Sequence, residues 1–241
     1  MKKYTYLDFL ANFGVGGAHP GGLLLTKHIF DQYEMDENTS VLDVGCGTGQ
    51  TAAFLSLEYN CFVDACDVNK IMVEKAAKRF DDFLIPIEVR EENAENLSYD
   101  ENLFHFVLYE SVLNFMNLEE GLKEAYRVLQ PDGTLLAIEM LKKPEMTKSQ
   151  EKDLSSFYNL KSLLSIEDWQ KSLKEAGFTS ITLSPLPSLA TNNEGIEHGT
   201  EFILSPHIEK ELYDFLDGHE KRIKDFESVL DYRIIQAKKE K

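Results

Sequence analysis

The stretch VLDVGCGTGQ, residues 41–50, joins a short apolar run to three glycines at alternate positions. The apolar run predicts a buried strand, and the residues from Gln50 onward predict a helix. Glycine permits positive φ and a close approach of ligand to backbone, and a helix start offers free N–H groups with partial positive charge. Three glycines in five residues also cost conformational entropy on folding. We therefore predict a ligand-binding turn here and not a turn that binds nothing.

The residues around this stretch alternate short apolar segments with helical ones. Strands are predicted at 41–44, 61–66, 85–89, 104–109 and 135–140, and helices at 50–59, at 118–129 and after a cap at Asn69. Pro86 lacks the N–H that a central strand needs, so the 85–89 strand belongs at a sheet edge. The alternation predicts a doubly wound α/β fold with a mostly parallel sheet. Ligands bind such sheets beyond the carboxyl ends of the strands.

Two acids narrow the choice of ligand. Asp67 ends the second predicted strand, 22 residues after Gly45, and an acid about 20 residues beyond a glycine turn accepts hydrogen bonds from ribose hydroxyls. Asp67 as a simple helix cap is the alternative. Dinucleotide sites use G-x-G-x-x-G, whereas this loop reads G-x-G-x-G and has Asp43 two residues before its first glycine. That carboxylate suits a ligand with an ammonium group and no phosphate at the loop.

The glycine stretch resembles motif I of the class I methyltransferases that use S-adenosylmethionine (SAM), which typically reads V-L-D-x-G-C-G-T-G. Residues 92–97 resemble the adenine-holding loop of that family, with Asn93 where an acid is common. Residues 106–115 and 126–135 resemble its later motifs. The resemblance implies a Rossmann-like sheet of seven strands in the order 3-2-1-4-5-7-6, with strand 7 antiparallel. Residues 181–183 would form strand 6, and residues 232–237 either strand 7 or a terminal helix.

The resemblance also implies SAM as cofactor, S-adenosylhomocysteine (SAH) as product, and a set of contact residues. The candidate cofactor-binding residues are Asp43, Gly45, Cys46, Gly47, Gly49, Asp67, Val68, Met72, Asn93, Ala94, Glu95, Glu110 and Ser111.

Two residues are candidates for the chemistry. Glu110 ends the fourth predicted strand, where the family places groups that face the substrate; a helix-start acid is the alternative. His19 lies in residues 13–22, which hold five glycines. These glycines predict a flexible lid over the cofactor, with His19 facing the substrate, or else a linker with a solvated histidine. The predicted organisation is an N-terminal helical and glycine-rich lid at 1–30 and a SAM-binding domain at 31–241. Helical insertions are expected near 143–164 and 188–228.

The composition of the chain limits the kinds of substrate and partner that it can have. The 241 residues include 42 acids against 25 bases, a formal net charge of −17, which disfavours a nucleic-acid substrate. We expect no metal site, because there is no CxxC pair and His198 and His207 stand alone. Three cysteines suggest no disulfide framework, and neither a signal peptide nor a membrane span is predicted. These features predict a cytoplasmic protein; its oligomeric state is not readable.

The predicted function is methyl transfer from SAM to a small-molecule acceptor by in-line displacement. A protein or RNA methyltransferase, a non-catalytic SAM-binding module and a nicotinamide dehydrogenase are the alternatives. The acceptor and the methylated atom are not readable from the sequence.

Overall fold

A computed structural model describes residues 4–188 and 201–240. In chain order the helices are α1 (Tyr6–Phe13), α2 (Gly22–Phe30), α3 (Gln50–Tyr59), α4 (Lys70–Asp82), α5 (Leu118–Val128), α6 (Lys148–Tyr158), α7 (Ile166–Glu175) and α8 (Lys210–Phe226). The strands are β1 (Val15–Gly16), β2 (Ser40–Val44), β3 (Phe62–Asp67), β4 (Val89–Glu91), β5 (Phe104–Glu110), β6 (Leu129–Lys142), β7 (Thr179–Pro185), β8 (Glu201–Phe202) and β9 (Leu230–Lys238). A 3₁₀ turn spans Leu113–Phe115.

The main sheet has seven strands in the order β4-β3-β2-β5-β6-β9-β7. The strands from β4 to β6 pair in parallel, and β9 runs antiparallel to both β6 and β7. This is the predicted methyltransferase topology, with β9 as strand 7, so the terminal helix considered for residues 232–237 is wrong. Ile235 and Ala237 of β9 pack into the core on one face of the sheet, and Ile234 packs into the core on the other.

Helices cover both faces of the sheet. On one face, α3 and α4 bury Ala52, Leu55, Ala76 and Phe80 against the sheet. On the other, α5 and α7 bury Leu122, Ala125, Trp169 and Leu173. Asn69 caps α4 by accepting a hydrogen bond from the N–H of Ile71 at 3.0 Å, as predicted. None of the described helices combines the length and apolar character needed to cross a bilayer.

Several predicted boundaries are wrong. The strand predicted at 85–89 begins only at Val89 and ends at Glu91, although it does lie at the edge of the sheet. Ile85 bonds back to the carbonyl of Phe80, so the chain around Pro86 forms a turn out of α4. The fifth strand starts at Leu129, because the chain after α5 enters β6 at once. The insertion predicted near 143–164 is helical only in α6, and the described helix within the insertion predicted near 188–228 is α8.

The N-terminal residues pack over the carboxyl edge of the sheet. A capping box between Thr5 and Asp8 starts α1, whose aromatic side chains Tyr6, Phe9 and Phe13 are buried in a cluster with α6 and α8. The segment after α1 pairs with β8 as a two-stranded antiparallel sheet. Residues 189–200 of the insertion predicted near 188–228, among them His198, lie outside the described residues.

Candidate active site

A cavity of about 610 Å³ lies at the carboxyl ends of β2, β3 and β5. Most of the predicted site residues line it: Gly45, Cys46, Gly47, Asp67, Val68, Met72, Asn93, Ala94, Glu95, Glu110, Ser111 and His19. Asp43 and Gly49 do not line it. Sequence reasoning missed the apolar wall made by Leu7, Leu10, Val15, Phe115 and Met116, whose spacing resembles that of ordinary core residues.

The three glycines of the loop have different tasks. All three adopt positive φ. A Cβ on Gly45 would lie 2.5 Å from Val112 Cγ2, and one on Gly49 would lie 2.6 Å from Phe80 Cζ. A Cβ on Gly47 would meet nothing closer than 3.9 Å, at Met72 Cε. The first and third glycines therefore allow close packing, and the second leaves room at the cavity wall for a ligand.

Asp67 holds the loop in shape. Its Oδ2 accepts a hydrogen bond from Gly47 N at 2.9 Å, and its Oδ1 accepts one from Asn69 N at 2.8 Å. Burial raises the pKa of Asp67 above its usual range, and these two backbone donors oppose that rise. Each carboxylate oxygen has a second lone pair. Asp67 is thus placed to accept two further bonds, as a ribose diol requires.

Asp43 is a buried carboxylate that lacks a full set of partners. Its Oδ2 has no hydrogen-bond partner among the described residues. Burial, followed by the nearby acids Glu110 and Asp67, raises its pKa well above the usual range. A ligand that brings positive charge to this end of the cavity would relieve both effects. An ammonium group, such as that of a methionine moiety, fits the requirement.

Glu110 is the centre of a polar network at the end of β5. Its Oε1 accepts a bond from Thr26 Oγ1 at 2.5 Å, and its Oε2 accepts one from Thr51 Oγ1 at 2.7 Å. His19 Nε2 lies 3.4 Å from Oε2. Three separate elements, α2, α3 and the glycine-rich segment, therefore converge on one carboxylate. Sequence reasoning singled out Glu110 and His19 but missed both threonines, because a threonine on a helix carries no distinguishing signal.

His19 and Glu110 favour each other's charged form. Burial lowers the pKa of His19, whereas the charge and the hydrogen bond of Glu110 raise it. The Pro20 backbone and Glu139 raise it further, and the net pKa is above the usual value. Burial raises the pKa of Glu110, but His19 and the two threonines lower it, and the net pKa is below its usual range. The two pKa shifts, upward for His19 and downward for Glu110, both favour an ion pair between these side chains.

Glu139 supports the cavity wall from behind. It is fully buried on β6, and its Oε1 accepts bonds from Val112 N at 3.0 Å and Leu113 N at 2.9 Å. These donors begin the 3₁₀ turn that carries Phe115. Burial raises the pKa of Glu139 to about 8, against the opposing effect of the backbone donors. Nothing in the sequence distinguishes Glu139, because a lone acid in an apolar strand resembles an outward-facing position.

The loop after β4 forms another part of the wall. Asn93 Oδ1 accepts a bond from Glu95 N at 3.0 Å, and Glu95 Oε1 accepts one from Asn117 N at 2.8 Å, at the start of α5. Both side chains thus stabilise the loop. Ala94 lies half-buried between them and, with Met72 from α4, provides apolar surface on which a flat base would pack.

Comparison with known proteins agrees with this geometry. A family model described as a methyltransferase domain matches residues 41–133. The uncharacterized methyltransferase YodH of Bacillus subtilis (strain 168) is 39% identical over 215 residues, which are 89% of this chain and 90% of YodH. The chain belongs to the class I SAM-dependent methyltransferases. SAM is its cofactor.

Solved structures share the fold of this methyltransferase. Phosphoethanolamine N-methyltransferase 2 of Haemonchus contortus, in complex with phosphomonomethylethanolamine and SAH, superposes with a TM-score of 0.78 at 17% identity. The match covers 100% of this chain but 59% of that one. Geranyl diphosphate C-methyltransferase of Streptomyces coelicolor A3(2) superposes with a TM-score of 0.67 at 13% identity, over 90% of this chain and 78% of that one. At these identities the likeness concerns the fold alone.

Proposed function

We propose that this methyltransferase transfers the methyl group of SAM to a small molecule. The observation that carries the proposal is the closure of the cavity by the N-terminal segment, which brings His19 against Glu110 at the end of β5. A cavity of about 610 Å³ falls within the range of small-molecule sites. Both similar structures described above bind small molecules, which supports the same size of acceptor here.

We assign the cofactor to the wall formed by the glycine loop, Asp67 and the loop after β4. Asp67 accepts the ribose hydroxyls, Ala94 and Met72 pack against the adenine, and the N–H groups at the start of α3 face the methionine carboxylate. Asp43 compensates the ammonium charge. Bound SAM supplies a methyl group already activated on a sulfonium, so the protein mainly provides alignment and exclusion of water.

Glu110 and His19 are proposed to act on the acceptor. The lowered pKa of Glu110 keeps it ionised, so it is suited to accept a hydrogen bond from an N–H or O–H of the nucleophile and orient its lone pair. Thr26 and Thr51 fix the carboxylate. His19 belongs to the segment proposed as a lid, residues 1–30, so its contact with Glu110 couples closure to alignment of the acceptor.

The direct test is a methyl-transfer screen with radiolabelled SAM against a metabolite extract and a defined set of amines, phenols and quinones. Incorporation into molecules below about 1 kDa supports the proposal. Label found only in protein or RNA would contradict it. SAM binding without any transfer would favour the non-catalytic module.

We also propose a cytoplasmic location, which the three free cysteines support.

A further inference from the structure

The wall of the active-site cavity is acidic. Its lining contains the five carboxylates of Asp8, Asp67, Glu92, Glu95 and Glu110, and among the described residues no lysine or arginine lines it. His19 is the one titratable base of that lining, and it faces Glu110 at 3.4 Å. Like charges placed together in a partly desolvated site repel strongly. An anionic acceptor would therefore enter a cavity that offers it little compensation.

Two cations lie next to this wall, and both are engaged elsewhere. Lys75 Nζ donates to the carbonyls of Ala11 and Asn12, at 2.7 and 3.2 Å. Arg79 Nε donates to the Thr48 carbonyl at 2.7 Å, and its Nη2 forms an ion pair with Glu201. Moving either cation into the cavity would leave buried carbonyls without their donors.

The backbone donors at the end of β5 are engaged as well. Ser111 N donates to the carbonyl of Ile138 at 2.8 Å. Val112 N and Leu113 N both donate to Glu139 Oε1. Loops that hold phosphate do so with free N–H groups of this kind. Here the Glu139 carboxyl group already accepts from two of these donors, so they are not free to bind a phosphate oxygen.

We propose that the acceptor of this methyltransferase carries no phosphate or other fixed negative charge. The inference rests on the proposed function and specifies its substrate class: a neutral or cationic molecule whose N–H or O–H meets Glu110 and whose apolar part packs on Phe115 and Met116. The acceptor therefore differs in charge from the phosphomonomethylethanolamine and geranyl diphosphate bound by the two structural neighbours.

Binding is the first test, because it does not require the acceptor to be known. The protein is loaded with SAH and titrated calorimetrically, at low salt, with phosphoethanolamine and with inorganic pyrophosphate. We expect no saturable binding at millimolar concentration. Saturable binding of either probe to the SAH-loaded protein would overturn the proposal.

Transfer is the second test, with matched pairs that differ only in phosphorylation. Ethanolamine is compared with phosphoethanolamine, and geraniol with geranyl diphosphate, and the screen of other acceptors is sorted by charge. Every acceptor found should be neutral or cationic, and should lose at least tenfold in kcat/KM when phosphorylated. Preference for phosphorylated acceptors would contradict this inference but would not contradict the proposed function. Transfer to no small molecule at all would sink the proposed function, while the calorimetry still decides the charge preference.

A charge introduced into the wall gives the converse test. Phe115→Lys places a cation inside the cavity, and Leu103→Lys adds the same charge beside the amino end of β5, at a residue 42% exposed. Phosphoethanolamine should bind the SAH-loaded Phe115→Lys protein and neither the Leu103→Lys nor the parent protein. A folded Phe115→Lys variant, with normal SAH affinity, that still ignores phosphoethanolamine would count against exclusion by charge.

Discussion

Asp67 connects the sequence motif to the geometry most directly at the scale of single residues. It accepts bonds from two backbone N–H groups and keeps lone pairs for a ligand. Asp67→Ala should therefore lower SAM affinity roughly ten- to a hundredfold, since hydrogen bonds to charged groups contribute about 1.5–3 kcal/mol. Calorimetry with SAH measures this. Asp64→Ala, on the same strand, is the control, and equal affinities for the two folded variants would remove the ribose assignment.

The His19–Glu110 pair should appear in the pH dependence of stability. The pKa of His19 is higher in the folded protein than in the unfolded chain. Protonated His19 therefore contributes its full stabilisation of the fold below the unfolded-state pKa, and this contribution is lost as pH rises through the folded-state pKa. The lowered pKa of Glu110 has the opposite consequence: stability is lost as pH falls through it. His19→Gln should thus remove the alkaline loss of stability. Denaturant unfolding between pH 6 and 9 tests this, with the exposed His207→Gln as control; parallel curves would contradict the ion pair.

Glu139 gives a second pH prediction of the same kind. A carboxyl group whose pKa is raised to about 8 in the folded protein binds its proton more tightly there than in the unfolded chain. Its contribution to stability therefore declines as pH rises from its ordinary pKa to about 8. Glu139→Gln imitates the protonated form and still accepts the two N–H bonds. The variant should gain in Tm relative to the parent between pH 5 and 8. A constant difference would show that Glu139 titrates normally.

At the scale of elements, different glycines of the loop serve packing and ligand contact. Gly47→Ala and Gly49→Ala both place a side chain at positive φ, which costs about 1–2 kcal/mol. Gly49→Ala also forces its Cβ against the Phe80 ring, so it should lower the free energy of unfolding by about 1–3 kcal/mol more. Gly47→Ala should keep more stability and lose SAH affinity, because its methyl group occupies the cavity wall. Similar losses of stability in both variants would refute this division.

At the scale of the whole molecule, the N-terminal segment is joined to the rest of the chain by several kinds of contact. Aromatic side chains of α1 pack against α6 and α8, β1 pairs with β8, and His19 meets Glu110. Removing residues 1–20 would expose the apolar surface that these contacts bury. The truncation would therefore report on the stability of the fold more than on closure of the N-terminal segment over the cavity. A single changed contact tests closure better.

Lys75 provides that contact. Its Nζ bonds the carbonyls at the end of α1, and Lys75→Met keeps much of the side-chain volume while removing both bonds. We expect KM for SAM to rise severalfold with a small fall in Tm, because the segment would close over the cavity less often. Lys78→Met, which breaks only the surface pair with Asp82 on the same helix, is the control. An unchanged KM would show that the segment does not move during the reaction.

The fold and the cofactor motif were predictable because their signals are local. Alternating glycines after an apolar strand, an acid at the end of the next strand, and the strand–helix alternation each depend on neighbouring residues. The first and last residues of the strands were predicted less well. The chain around Pro86 and the start of β6 are determined by which strand is available for pairing, and hydrophobic periodicity does not contain that information.

By itself, the sequence determined the class of fold and the cofactor, since short-range spacing encodes backbone conformation and the placing of glycines and acids at strand ends. Only the tertiary structure decided what surrounds the acceptor. Glu110 meets Thr26, 84 residues away, and Glu139 meets the turn at Val112, 27 residues away. Contacts at such separations depend on how the helices pack, so the charge of the cavity and the engagement of its donors become visible only once the chain is folded.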